Sequence, residues 1–122
     1  MITLYLPRPL STNSLYGQRA GRQRYKTKAY KKWSEKALAM LAGQEWEPIN
    51  QPYWMDMVMR RYGNSGDATN YIKGAEDQIV AAGVVRDDKD CLFAAVGWGE
   101  PGPGRACRVR IHTQMPDWMK AL

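Results

Sequence analysis

Residues 53–61 place Tyr53, Met55, Met57 and Met59 at alternate positions, and an extended strand is the backbone form that brings a period-two set onto one face. A methionine stripe at this spacing reads as a core face, not as a ligand set. Such a face is stable only when something covers it, and a chain of 122 residues has room for one core, so the cover has to come from the same domain.

Two stretches have the periodicity to supply that cover. Tyr30, Trp33, Ala37 and Leu41 recur on one side of a helix that Thr27 caps, that runs to about Ala42, and that Gly43 is expected to stop in a left-handed conformation. Its other side carries Lys28, Lys31, Lys32 and Lys36. A second helix, capped by Asp67 or Thr69, carries Ile72, Ala75, Ile79 and Ala82 on its buried side and ends before Gly83. Strands are expected at Ile2–Leu6, Tyr53–Arg61, Leu92–Trp98 and Ala106–Thr113, the last two joined as a hairpin through residues 99–104. In the last strand Cys107, Val109 and Ile111 point one way while Arg108, Arg110 and His112 point the other. Residues 11–26, with Gly17, Gly21 and three arginines, read as a mobile basic loop, and the tail after Met115 as a short helix or frayed end. The order strand, helix, strand, helix, strand, strand argues for one α/β domain of the α+β type over residues 1–122, with a mixed sheet of about four strands and two main helices.

Charge is placed unevenly along the chain. Between Met1 and Gln44 nine Lys or Arg face one acid, whereas between Asp67 and Asp90 six acids face three bases, within a net charge of +6. A basic surface releases counterions from a polyanion, so nucleic acid is the expected partner, ahead of a membrane surface or an acidic protein. Carboxylates repel phosphate, and a divalent cation bridging acid to phosphate explains why a nucleic-acid binder would gather them. Two cysteines, Cys91 and Cys107, make no disulfide framework or zinc motif and read as reduced residues of a cytoplasmic protein. No apolar run approaches the roughly 20 residues of a membrane span.

Metal-dependent phosphodiester cleavage needs one or two hard cations held by converging carboxylates. Asp67 stands at the start of the second helix, and Asp87 and Asp88 stand just beyond its end. A helix of about 14 residues is about 20 Å long, so these acids meet only if the chain after Gly83 returns antiparallel along the helix through Val84 and Val85. Lys73 could pair with Glu76 or Asp77 on the helix surface, or place its ammonium on a nonbridging phosphate oxygen.

At these residues the chain resembles the RusA-like Holliday junction resolvases of bacteria and phages. Asp67-Ala68-Thr69-Asn70-Tyr71-Ile72-Lys73, then Glu76-Asp77, then Ala82-Gly83-Val84-Val85-Arg86-Asp87-Asp88 is similar to the family's D-x-D-N-x-x-K helix and its A-G-[VF]-x-x-D-D turn. Pro9-Leu10-Ser11-Thr12-Asn13 is similar to its P-x-S-x-N opening. The resemblance covers nearly the whole chain. It implies a RusA-like homodimer whose Mg2+-dependent (or Mn2+-dependent) sites cut opposing strands of a four-way DNA junction, with no nucleotide cofactor and no membrane. By position it makes Asp67, Lys73 and Asp88 catalytic, Asp67 and Asp88 metal-site carboxylates, and Asn70 a hydrogen-bonding support. Thr69 departs from the pattern, standing where the motif has its second aspartate. A hydroxyl lends a metal a lone pair but no charge, so another acid is expected to compensate: Asp87 first, then Glu76 or Asp77. Without that compensation the chain would be a degenerate junction-binding protein. A basic module for RNA or a protein partner is the third reading. Arg19, Arg22, Arg24, Lys26, Lys28, Lys31, Lys32, Arg108 and Arg110 are the expected DNA contacts. Tyr16 and Tyr25 could stack on an unpaired base, although packing or exposure is the better reading of each, and a general-base role for His112 is a poor one.

Overall fold

The computed structural model describes residues 1–19, 23–63 and 65–121, without the side chains of residues 18, 19 and 23. Four strands, β1 (Ile2–Leu6), β4 (Tyr53–Met59), β5 (Cys91–Trp98) and β6 (Cys107–His112), form a mixed sheet in the order β1-β6-β4-β5. Two more, β2 (Tyr16–Arg19) and β3 (Gln23–Lys26), form a separate antiparallel ribbon. The helices among the described residues are α1 (Lys28–Ala42), α2 (Ile72–Ala81) and the short α3 (Asp117–Lys120). None is long and apolar enough to cross a membrane. The mixed α/β class and the four-stranded sheet therefore agree with the sequence.

The methionine stripe is the centre of the core. Tyr53, Met55, Met57 and Met59 are all buried, against Leu4 and Leu6 of β1 and Val109 and Ile111 of β6, beneath Tyr30, Trp33, Ala37 and Leu41 of α1 and Ala75 and Ile79 of α2. Thr27 caps α1 as expected, accepting from the Tyr30 N–H at 3.1 Å, and its hydroxyl also donates to the Ser14 carbonyl at 2.7 Å. One side chain thus fixes both the helix start and the preceding ribbon.

Three expectations need correction. Residues 16–19 and 23–26 are not a loop: Gly17 pairs with Tyr25 and Gln18 with Arg24 in a ribbon, because polar residues form ladder hydrogen bonds as readily as apolar ones. Gly43 is not left-handed (φ −85). The last turn of α1 tightens instead, its carbonyls taken by Gly43 N–H from Met40 and Gln44 N–H from Leu41, and the Gln44 amide then brackets Tyr5 of edge strand β1 with two 2.8 Å bonds. Finally, β5 and β6 are not a hairpin. Both flank β4, β5 parallel and β6 antiparallel to it. Parallel neighbours need a crossover connection, which α2 supplies between β4 and β5, and β6 then takes the free edge of β4.

The outward face of the sheet holds a buried acid that periodicity did not single out. Asp56, on β4, accepts from Arg110 Nε at 2.9 Å and lies 2.7 Å from His112 Nε2, both on the neighbouring β6. Arg108, Arg110 and His112 do share the face opposite Cys107, Val109 and Ile111, but Arg110 and His112 turn toward Asp56.

Gly83 closes α2 as the sequence reading requires. Its φ is +81, its N–H donates to the Val80 carbonyl at 3.0 Å and the Val84 N–H to that of Ile79 at 2.9 Å, the paired bonds of a Schellman stop. A side chain there strains the left-handed backbone, so Gly83→Ala should lower the unfolding free energy by about 1–2 kcal/mol, measured by urea denaturation.

Candidate functional site

The return after Gly83 is what assembles the site. Val84 and Val85 are buried, Val85 bridges Ile49 in parallel, and the chain then enters a 3-10 turn, Asp88–Asp90, that leads into β5. This path sets Asp88 beside the start of α2. Lys73 Nζ lies 3.1 Å from Asp77 Oδ1, one helical turn on, and 4.0 Å from Asp88 Oδ2.

Asp77 anchors the arrangement. Its Oδ2 accepts from the Tyr30 hydroxyl at 2.8 Å and from the Tyr16 hydroxyl at 3.4 Å, so one carboxylate ties the ribbon, α1 and Lys73 together. Burial and the Asp77 hydrogen bond push the Tyr30 hydroxyl well above its usual pKa, which keeps it a donor. Asp77 also holds Lys73 above its ordinary value, with the Asp88 charge acting in the same direction and burial against it. Glu76 is half-buried, and desolvation followed by the Asp88 charge raises its pKa. Two carboxylates thus crowd one lysine.

The expected site residues are distributed unequally about this group. Lys73, Asp88, Glu76 and Asp77 come together. Asp67 stands exposed before the 3-10 turn Ala68–Tyr71 and caps nothing with its side chain. Among the described residues it forms no side-chain hydrogen bond or ion pair with the others. Thr69 is exposed on the same turn. Asn70 is exposed too, and its carbonyl accepts from Thr12 Oγ1 at 2.9 Å, which docks the Pro9–Asn13 segment onto the turn. Asp87 accepts the Lys89 N–H on Oδ1 at 2.9 Å and shares a hydrogen bond with the adjacent Asp88, which together hold its carboxyl below the usual range, and Glu76 and Asp77 approach Lys73 and Asp88 from α2. Arg24 lies 4.4 Å from the Tyr16 ring centre and Lys26 5.6 Å from that of Tyr30. Lys28, Lys31 and Lys32 are exposed on α1, and Arg108 and Arg110 are partly buried. Arg22 and the side chain of Arg19 lie outside the described residues.

Among the described residues no three His, Cys, Asp or Glu side chains gather into a metal-ligand group. Mg2+, however, binds through one or two carboxylates together with water and substrate phosphate rather than in an all-protein cage. The buried Tyr53 hydroxyl lies against the Cys91 thiol. Burial, then the surrounding Cys91, Glu76, Asp88 and Asp90, push its pKa up. The half-buried Glu76 and the Asp88 carboxylate supply oxygen donors of the kind a hard cation takes.

Tyr30 and Tyr16 join the site through their hydroxyls, a role that the apolar periodicity of Tyr30 concealed. Asp77→Asn should destabilise the protein by about 1–3 kcal/mol, the range for hydrogen bonds to a charged group, in urea denaturation. The same change should lower the Lys73 pKa, read by NMR titration. A lysine whose folded pKa is raised contributes stability in full below its ordinary 10.5 and loses it as pH rises through the folded value; Asp77→Asn should remove that alkaline dependence.

No protein-family model matches this chain, and no curated protein matches it.

Proposed function

We propose that this chain is a Mg2+-dependent, structure-selective endonuclease of the RusA-like type, resolving four-way DNA junctions as a homodimer in recombination and repair. The observation that carries the reading is Lys73 held between Asp77 and Asp88, with Glu76 adjacent. A lysine, a carboxylate pair and a basic ribbon on one side of a small domain suit a bound phosphodiester.

Asp88 and Glu76 would hold the cation, and the family resemblance adds Asp67 and Thr69 to its surroundings. The cation, when present, polarises the scissile phosphate and lowers the pKa of the attacking water. Lys73 places its ammonium on a nonbridging oxygen and stabilises the charge that develops there. Asp77 acts as a positioning residue by fixing Lys73. The side chains of Arg24, Lys26, Lys28, Lys31 and Lys32 neutralise the arms of the junction. Two copies related by a twofold axis match the near-symmetry of a four-way substrate, and exposed Leu92, Phe93 and Trp118 offer apolar surface for pairing.

A second reading, a junction-binding protein that does not cut, is favoured by Thr69 in place of an acid. Incubation of a four-way junction with Mg2+, Mn2+ or EDTA distinguishes the two. Asp88→Asn and Lys73→Met should each reduce cleavage about 10²- to 10³-fold, the usual loss for one transition-state charge partner, with junction binding retained. Thr69→Asp should lower the Mg2+ concentration needed for half-maximal cleavage. Undiminished cleavage by an Asp67→Asn, Asp88→Asn double variant would refute the site.

A further inference from the structure

We propose that Gln78 and Ser34 are positioning residues for Lys73, acting through a hydrogen-bond series of one fixed direction that ends on Asp77. The effect on cleavage rests on the nuclease reading above, whereas the hold on Lys73 does not.

Gln78 is the polar exception on the buried side of α2. Gly74, Ala75 and Ile79 are buried with it, and Gln78 itself is 2% exposed, at a place where an apolar residue would pack without needing a partner. The partners come from α1. Tyr30 and Ser34 lie one turn apart on α1, and Asp77 and Gln78 are consecutive on α2, so the hydrogen bonds pass back and forth between the two helices. The Ser34 hydroxyl donates to Gln78 Oε1 at 2.7 Å, Gln78 Nε2 donates to the Tyr30 hydroxyl oxygen at 3.3 Å, and Tyr30 donates to Asp77 Oδ2 at 2.8 Å. Asp77 Oδ1 then holds Lys73 Nζ at 3.1 Å.

The direction is set from the acid. A carboxylate has no hydrogen to give, so the Tyr30 hydrogen goes to Asp77. The Tyr30 oxygen is left as an acceptor, which turns Nε2 of the Gln78 amide toward it. Oε1 therefore faces Ser34, whose hydroxyl must donate. Ser34 is the lock at the outer end. Without its donor, Oε1 would be left unpaired inside the protein, and half a turn of the amide would satisfy it by capturing the Tyr30 hydrogen.

Lys73 registers that turn through Asp77. With the lock closed, Oδ2 accepts from Tyr30 at 2.8 Å and from Tyr16 at 3.4 Å, and Lys73 is held on Oδ1 while staying 4.0 Å from Asp88. Loss of the Tyr30 donor leaves Oδ2 with the longer bond alone. The ammonium is then drawn over both oxygens of Asp77 and away from Asp88 and the phosphate it would meet. Ser34 is only half-buried, so removing its oxygen disturbs little packing.

The test compares Ser34→Ala, Ser34→Thr and Gln78→Leu with the wild type, by steady-state cleavage of a four-way junction in Mg2+ and by the 15N resonance of Lys73 Nζ in the free protein. Ser34→Ala should shift the Lys73 resonance and lower kcat about 10-fold, the lower end of the range for losing a hydrogen bond that orients an active-site group from behind, with KM unchanged. Ser34→Thr keeps the hydroxyl and should restore both. Gln78→Leu should repeat the effects of Ser34→Ala; if it does not fold, the serine variants decide. An unmoved Lys73 resonance in Ser34→Ala overturns the proposal, as does an unchanged kcat in a protein that cuts DNA. A resonance shifted in Ser34→Ala and restored in Ser34→Thr, in a wild type that does not cut, upholds the hold on Lys73 and overturns the nuclease.

Discussion

The parallel pairing of β4 with β5 is the constraint from which the rest of this molecule follows. Two neighbouring strands that run the same way cannot be joined by a tight turn, so the connection must leave one end of the sheet and return to the other. Here α2 makes that passage over the methionine face, and Gly83 reverses the chain with a left-handed residue. The same reversal that completes the crossover carries Asp88 back beside Lys73. Fold closure and site assembly are one event.

Asp77 serves both purposes as well. A carboxylate joined to Tyr16, Tyr30 and Lys73 holds the ribbon against the helices, and it also restrains a long, rotamer-rich lysine. Ordering such a side chain costs conformational entropy of roughly 1.5–2 kcal/mol, and a lysine oriented before substrate arrives has already met that cost. Burial and then the Asp88 charge raise the Glu76 pKa beside it.

The helices and the central strand were legible in the sequence because each carries a local signature. Tyr30, Trp33, Ala37 and Leu41 recur at helical spacing, Thr27 and Gly83 punctuate, and the stripe from Tyr53 to Met59 alternates. The ribbon at residues 16–26 was not legible, because its residues are polar and glycine-rich and its partners are only each other. Asp56 carries no signal in the sequence, and only strand pairing brings Arg110 and His112 alongside it.

What the sequence determined by itself was which segments are helical or extended, which face of each is apolar, and which polar residues flank the turns, since these depend on interactions within a few residues. The tertiary structure alone decided that β4 lies between β5 and β6 and that Asp88 returns beside Lys73 and Asp77. Those outcomes depend on contacts between residues separated by tens of positions. Their geometry is set by how packed elements share one core, a quantity that no local periodicity encodes.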